Sequence, residues 1–453
     1  MLRAIKTYLP YYRRLGKLAV PLALTQSGQM LIQLIDNAMV GHVGTAELAA
    51  SSFANSIFLL VIVLGTGISI GITPILGQAF GEKRVVLAAA VIKNSIILSI
   101  AVILSIFFLS WSLSWIMPNM GQAQEVSSLA IPYYRLLSWS LLPMLIFLVF
   151  KQIGEGLGNT MYAMISTLVS IFFNVFLNYI LIFGHLGFPA LGLQGAGYAT
   201  LISRAIMVFM LVPLLLRSPK YKEIYRQISR VKLSAQRMKQ IFSTGLPIAL
   251  QMLIEVSLFA FGSIMIGWIG EIELAAHQVA NGLIGFTFMM ASSLGMASTI
   301  RISIQYGNKN FHEMKMAATA SRHLVLLFMG ICSALYISLS NELPKLFSDD
   351  PLVWEQASSL LIIAGIFQLV DGLQVVFLGI LRGISDVKRP FWIAAFSYLI
   401  IGLPVSYIFA FVFDFGAEGI WFGFVAGLSV AAVSFHLRIR KQFNPFYLGK
   451  HGL

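Results

Sequence analysis

Residues 33–55 read QLIDNAMVGHVGTAELAASSFAN. The front of this stretch closes an apolar run that opens near Leu15, which predicts the far end of a membrane-spanning helix. Inside that helix stands a carboxylate, Asp36. An ionisable group at membrane depth costs roughly 3 kcal/mol or more unless it faces a cavity or a partner, so it marks function by default. The stretch also returns. Glu47-Leu48-Ala49-Ala50 recurs as Glu273-Leu274-Ala275-Ala276, and Met39, Gly41, Gly44 and Asn55 recur as Met265, Gly267, Gly270 and Asn281. Every pair is 226 residues apart.

The repeat extends outward on both sides. Pro21, Ala23, Leu24 and Gly81 match Pro247, Ala249, Leu250 and Gly307, and Gly154-x3-Gly158 resembles Gly379-x3-Gly383. Twelve spans are predicted, at 15–39, 51–79, 87–111, 127–150, 161–184, 193–216, 240–268, 277–303, 319–340, 356–380, 390–413 and 418–436. Several exceed the ~20 residues needed to cross and must tilt or protrude. An offset of six spans is even, so the halves run parallel, related by an axis along the membrane normal. The expected fold is therefore an all-α polytopic membrane protein. Its twelve transmembrane helices form two six-helix bundles related by a pseudo-two-fold axis. The expected division is 1–220, a linker over 221–239, and 240–453.

Composition agrees. Of 453 residues, 58% are hydrophobic and only 11% charged, with mean hydropathy +0.84. Soluble domains carry about twice that charge fraction. The single cysteine, Cys332, excludes an internal disulfide and a cysteine metal cluster. No cleavable signal peptide is evident in the basic start MLRAIKTYLPYYRRLGK. A net charge of +13 raises the question of nucleic acid, but the charges segregate by membrane side. With the N-terminus inside, inner segments hold Arg3 to Lys17, Lys83, Arg84, Lys93, Lys151, and Arg217 to Lys239. They also hold Arg301 to Arg322, Arg382, Lys388, Arg389, and Arg438 to Lys450. Outside, Lys345 stands among Glu47, Glu125, Glu271, Glu273, Glu342, Asp349, Asp350, Glu355, Asp414 and Glu418. This is a positive-inside signal, placing both termini in the cytoplasm, and not a nucleic-acid footprint.

Three acids fall within spans: Asp36 in the first, Glu255 in the seventh and Asp371 in the tenth. Asp36 lies about 32 Å along the helix from Leu15, in the outer half of the membrane. The repeat aligns Asp36 with Gly262 and Glu255 with Gln29, so the halves share a scaffold and differ in chemistry. Asn174 and Asn178 are one turn apart and share a helix face. Their amide oxygens suit a hard cation such as Na⁺, or they simply tie helices together. Thr200 and Gly195-Ala196-Gly197 open the sixth span, and small residues there allow close helix approach. The glycines of GTGISIGITPILGQAFG are read the same way. Arg135 and Arg204, the basic residues deep in spans, are read as snorkelling or pairing. His42, His185 and His277 are placed at loop or span ends. No phosphate-binding loop, HExxH or nucleophile elbow occurs, so neither an ATP motor, an enzyme nor a cofactor is expected.

These motifs resemble a known family. P-x-A-L near residue 21, LIDNAMVGHVGTAELAA and its second copy EIELAAHQVAN are similar to the multidrug and toxic compound extrusion (MATE) family. Glu255 in QMLIEVSLFA and Asp371 in LVDGLQVVFLGILRG resemble its NorM-like branch. The resemblance implies two six-helix bundles around a membrane-embedded cleft, exporting organic cations and other drugs against inward Na⁺ or H⁺. It places Asp36, Asn174, Asn178 and Thr200 at an N-lobe cation site, and Glu255 and Asp371 at a C-lobe cation or substrate site. Some members carry Asp where this chain has Asn178, leaving one formal charge in the N-lobe site. A lone carboxylate there needs a proton or a bound cation. Two amides and a hydroxyl beside it favour Na⁺, at Asp36 or at Glu255 and Asp371, with H⁺ as the competing coupling ion.

The expectation is a monomeric antiporter of a bacterial inner membrane, with small-molecule organic cations, Na⁺ or H⁺ and the lipid bilayer as its partners. The competing expectation is a flippase or exporter of lipid-linked precursors on the same two-bundle fold. Anionic head groups would call for several Lys and Arg in the cavity, whereas the predicted spans hold three acids to two arginines.

Overall fold

A computed structural model describes residues 2–444, with side chains from residue 6. Every regular element among the described residues is helical. Arg3's side chain and Lys450, both used in reading the termini as cytoplasmic, lie outside the described residues. Twelve helices are long and apolar enough to cross a membrane. They are Lys6–Gly41, Thr45–Gly81, Val85–Asn119, Gln124–Gly156, Met161–Phe183, Gly192–Leu216, Ala235–Ile269, Glu271–Gly307, Phe311–Ser338, Pro351–Gly383, Lys388–Val412 and Gly416–Gln442. They coincide one for one with the predicted spans. Most run further, because a helix satisfies its own backbone whether or not its side chains are apolar.

That extension corrects the reading of several charges. Lys151 is not in a loop. It and Glu155 lie in the fourth helix, each side chain 2% exposed, with Nζ and Oε1 3.7 Å apart. Arg382 belongs to the tenth helix and is half-buried. His277 is fully buried, its Nε2 2.9 Å from the Ser263 hydroxyl. The connection at 217–239 is also not a plain linker. Pro219–Tyr221 forms a 3-10 turn and Lys222–Ile228 a short helix. Tyr221 is buried and donates to the Leu157 carbonyl at 3.2 Å, and Lys93 Nζ donates to the Val231 carbonyl at 2.8 Å. Asn94 Oδ1 accepts from the Ser234 amide at 2.8 Å.

The chain forms two compact units. One comprises Leu24–Ala249. The other joins the residues up to Ala23 with those from Leu250 onward. These are not the expected divisions at 220 and 240. The chain changes unit inside the first and seventh helices, each just past an interior proline, Pro21 or Pro247. The change points are themselves 226 residues apart, so the repeat includes the exchange. Its packing cause is visible. Leu15, Ala19 and Leu22 are buried against Ala297, Ile300 and Ala320. Tyr11 donates to Glu313 at 2.7 Å, and Glu313 pairs with Arg14 at 3.0 Å and Arg301 at 2.9 Å.

Each unit has its own core. Tyr133, Tyr134 and Phe147 are central to the first, and Phe367, Trp421, Phe424 and Phe435 to the second. Lipid is as apolar as leucine, so helix association in a membrane relies on close packing and buried hydrogen bonds. Both devices occur in each unit, the threonine hydrogen bond at repeat-related positions. Thr73 Oγ1 donates to the Gln152 carbonyl at 3.1 Å, and Thr299 Oγ1 to the Gly379 carbonyl at 2.9 Å. A Cβ added at Gly67 would lie 2.2 Å from Ala249 Cα, and one at Gly379 would lie 2.1 Å from the Gly295 carbonyl oxygen. Packing therefore accounts for these glycines.

Candidate cation and substrate sites

In the Leu24–Ala249 unit, three helices converge on Asp36. The first contributes Asp36, the fifth Asn174 and Asn178, and the sixth Thr200. Asn178 Nδ2 donates to Asp36 Oδ1 at 2.5 Å, and Thr200 Oγ1 donates to Asp36 Oδ2 at 3.3 Å. Asn178 Nδ2 also reaches Asn174 Oδ1 at 3.3 Å. All four residues grouped by the family resemblance are thus linked in one run of hydrogen bonds. One detail differs from a ready-made oxygen cage. Asn178 turns its amide nitrogen toward the carboxylate, and its Oδ1 is buried without a hydrogen-bond partner. Asp36 and Thr200 line a cavity of about 190 Å³ together with Gln33, Asn37, Asn55, Tyr133 and Arg204.

Of the two readings of Arg204, snorkelling or pairing, the structure supports the second. The side chain does not snorkel. It lines this cavity, donates to Ser140 Oγ at 2.7 Å, and lies over the Phe58 ring at 5.1 Å. Its charge reaches both Asp36 and Tyr133. The signal was spacing: Arg204 follows Thr200 by four residues and so shares its helix face. Tyr133 in turn bonds Ser51 and Asn55.

In the other unit, Asp371 is 2% exposed and Glu255 half-buried. They are within electrostatic reach of one another, and neither Asp371 Oδ2 nor Glu255 Oε1 has a hydrogen-bond partner. Arg382 faces Glu255 without forming a direct ion pair, and its Nη2 donates to Gln251 Oε1 at 3.2 Å. Gln251 precedes Glu255 by one helical turn. Tyr398, fully buried and hydrogen-bonded by Gln374, is within reach of both acids and of Arg382. The C-lobe cluster is therefore two acids and an arginine, and the intramembrane balance of three acids to two arginines no longer holds. Among the described residues, no three His, Cys, Asp or Glu side chains converge as a transition-metal site would require.

Comparison with known proteins agrees with this architecture. A family model described as MatE matches residues 21–180 and again 247–408, its two starts separated by the same 226 residues as the internal repeat. A protein of Agrobacterium fabrum (strain C58 / ATCC 33970) described as "Probable multidrug resistance protein NorM" is 32% identical over 438 residues, covering 95% of this chain and 94% of that protein. Another of that description, from Rhizobium meliloti (strain 1021), is 34% identical over 437 residues, covering 94% and 93%. Among solved structures, an outward-facing multidrug resistance MATE family transporter of the MOP superfamily superposes with a TM-score of 0.88 at 23% identity, covering 96% of each chain. The eukaryotic MATE transporter AtDTX14 gives 0.85 at 21%, covering 95% and 96%. The chain belongs to the MATE family and is a multidrug efflux transporter of the NorM type.

Proposed function

We propose that this transporter is a cation-coupled antiporter, exporting organic cations and other drugs in exchange for Na⁺ or H⁺ by alternating access. The observation that carries the reading is the carboxylate of Asp36, held by Asn178 and Thr200 on the wall of a cavity. A charge at this depth is tolerated only with compensation. Arg204 and two neutral donors supply it when no ion is bound. An entering cation competes with them for the same carboxylate oxygens. Rotation of the Asn178 amide then presents Oδ1, the oxygen otherwise left without a partner. A proton on Asp36 satisfies that oxygen equally, by donating to it.

Na⁺ gains more from Asn174, Asn178 and Thr200 than a proton does, because a proton needs only the acid. That favours Na⁺ as the coupling ion. Binding draws the first, fifth and sixth helices together and biases the unit between its conformations, as any ligand with differential affinity does. Glu255 and Asp371 take the cationic cargo or a second coupling ion, with Arg382 as the counter-charge to Glu255. The protein acts as a monomer in a bacterial inner membrane with both termini cytoplasmic.

Arg204 and Arg382 beside the acids give the second reading, export of a lipid-linked anionic precursor, its one structural support. Efflux from proteoliposomes with Na⁺ and H⁺ gradients imposed separately tests both readings. Uptake of an organic cation dye driven by an opposing Na⁺ gradient is expected. Transport that follows only a pH gradient makes Asp36 a proton carrier. No dye transport under either gradient, with movement of a lipid-linked anion, replaces the drug reading.

A further inference from the structure

A second cavity, of about 690 Å³, lies in the Leu24–Ala249 unit, at the end of the third helix that meets the mid-chain connection. Arg84, Arg230, Lys232 and Arg237 line it, and no carboxylate does. Arg84 is the one of the four with an ion pair among the described residues, to Glu82 at 3.3 Å. Arg230, Lys232 and Arg237 have none.

The site is built rather than accidental. Fully buried Asn94 and half-buried Lys93 bind the Ser234 amide and the Val231 carbonyl, which holds the connection against the third helix. Two helix starts meet at this cavity. The third helix begins at Val85, its first intrahelical acceptor being the Arg84 carbonyl, and the seventh begins at Ala235, where the Ser234 hydroxyl accepts from the Arg237 amide. Both present backbone N–H groups and the positive end of a helix dipole. The rim is apolar and open, with Val86 59% and Leu233 54% exposed.

We propose that this cavity binds the phosphate head group of an anionic phospholipid, with the acyl chains leaving over Val86 and Leu233. Four cationic side chains and two helix starts specify phosphate oxygens. A volume equal to about twenty waters exceeds what one inorganic phosphate fills, and an exposed valine and leucine at the mouth have no use for a soluble anion. Lipid bound here braces the connection against the third helix.

The test is native mass spectrometry of the whole transporter released from nanodiscs of tetraoleoyl cardiolipin or of dioleoyl phosphatidylcholine. Wild type is expected to retain cardiolipin and release phosphatidylcholine. Arg230→Gln/Lys232→Gln/Arg237→Gln should weaken cardiolipin binding on the order of a hundredfold. Arg230→Glu/Lys232→Glu, confined to exposed side chains, should weaken it similarly and guards against misfolding of the triple variant. Arg217→Gln/Lys222→Gln/Arg226→Gln, which removes the same charge from exposed positions outside the cavity, should leave binding unchanged. The proposal is overturned if both cavity variants retain cardiolipin as wild type does, if the control variant loses it equally, or if phosphatidylcholine is held as tightly. Displacement of the lipid by inorganic pyrophosphate would also overturn it, since the cavity would then be a soluble-anion site.

Discussion

Removing one partner of the Lys151–Glu155 pair should be among the most damaging single changes away from Asp36. Both side chains are 2% exposed and 3.7 Å apart, and among the described residues Lys151 is the charge that acts on Glu155. At an effective dielectric constant near 20, unit charges at that separation attract by about 4.5 kcal/mol. The distance is too long for a good hydrogen bond, so the neutral amide of Glu155→Gln recovers little of this. Loss of one partner from a buried pair costs about 3–5 kcal/mol, because the other charge is left without compensation. Lys151→Met should cost a similar amount. The double variant Lys151→Met/Glu155→Leu buries no charge and should return to within about 1 kcal/mol of wild type, or exceed it. Unfolding free energies from titration with sodium dodecyl sulfate in mixed micelles give the cycle directly. With single costs of about 3–5 kcal/mol each and a double near wild type, a coupling of at least about 5 kcal/mol is expected. If each single change costs under 1 kcal/mol and the double is their sum, water reaches these groups and the buried-pair account is wrong.

Further outcomes are expected elsewhere in the molecule. Asp36→Asn should abolish gradient-driven efflux in proteoliposomes while leaving the elution profile in detergent unchanged, and Asn178→Ala should weaken Na⁺ dependence more than H⁺ dependence. Arg204→Gln removes the charge that competes with an entering cation, so the coupling ion should bind about tenfold tighter and leave more slowly; calorimetry showing unchanged or weaker binding would remove Arg204 from the site. Gly379→Ala forces a methyl group to within 2.1 Å of the Gly295 carbonyl oxygen, and should destabilise the protein by about 1–3 kcal/mol or block its expression. A cysteine at exposed Lys222 should be labelled by a membrane-impermeant maleimide only in inverted vesicles; labelling in intact cells would reverse the topology.

The spans and the repeat were legible because a helix crossing lipid needs a long apolar run, and because two copies of one scaffold keep their landmarks in step. The convergence on Asp36 was legible through the cost of an isolated acid, which demands partners, together with the family resemblance that named them. What stayed hidden has a common cause. Lys151 and Arg382 lie where the apolar run ends but the helix does not, so composition alone placed them in inner segments outside the spans. Arg204 was visible as a charge in a span, yet whether a long cation snorkels or turns inward depends on acceptors from other helices, here Ser140 and the Phe58 ring. The exchange at Ala23 and Ala249 was beyond reach for a similar reason. The repeat shows that two helices correspond, but not which neighbours each half of a helix packs against.

That exchange has a consequence for biosynthesis. Tyr11 and Arg14 are held by Glu313, some 300 positions downstream. At about 5–20 residues per second, a ribosome needs about 15–60 s to travel from Tyr11 to Glu313. Through that interval, every partner for the Leu24–Ala249 unit can already be in the membrane, while the segment before Pro21 waits with Tyr11 and Arg14 unclaimed. This early segment is among the last to find its place. The waiting segment is a natural target for insertion chaperones, and a stalled chain would expose it.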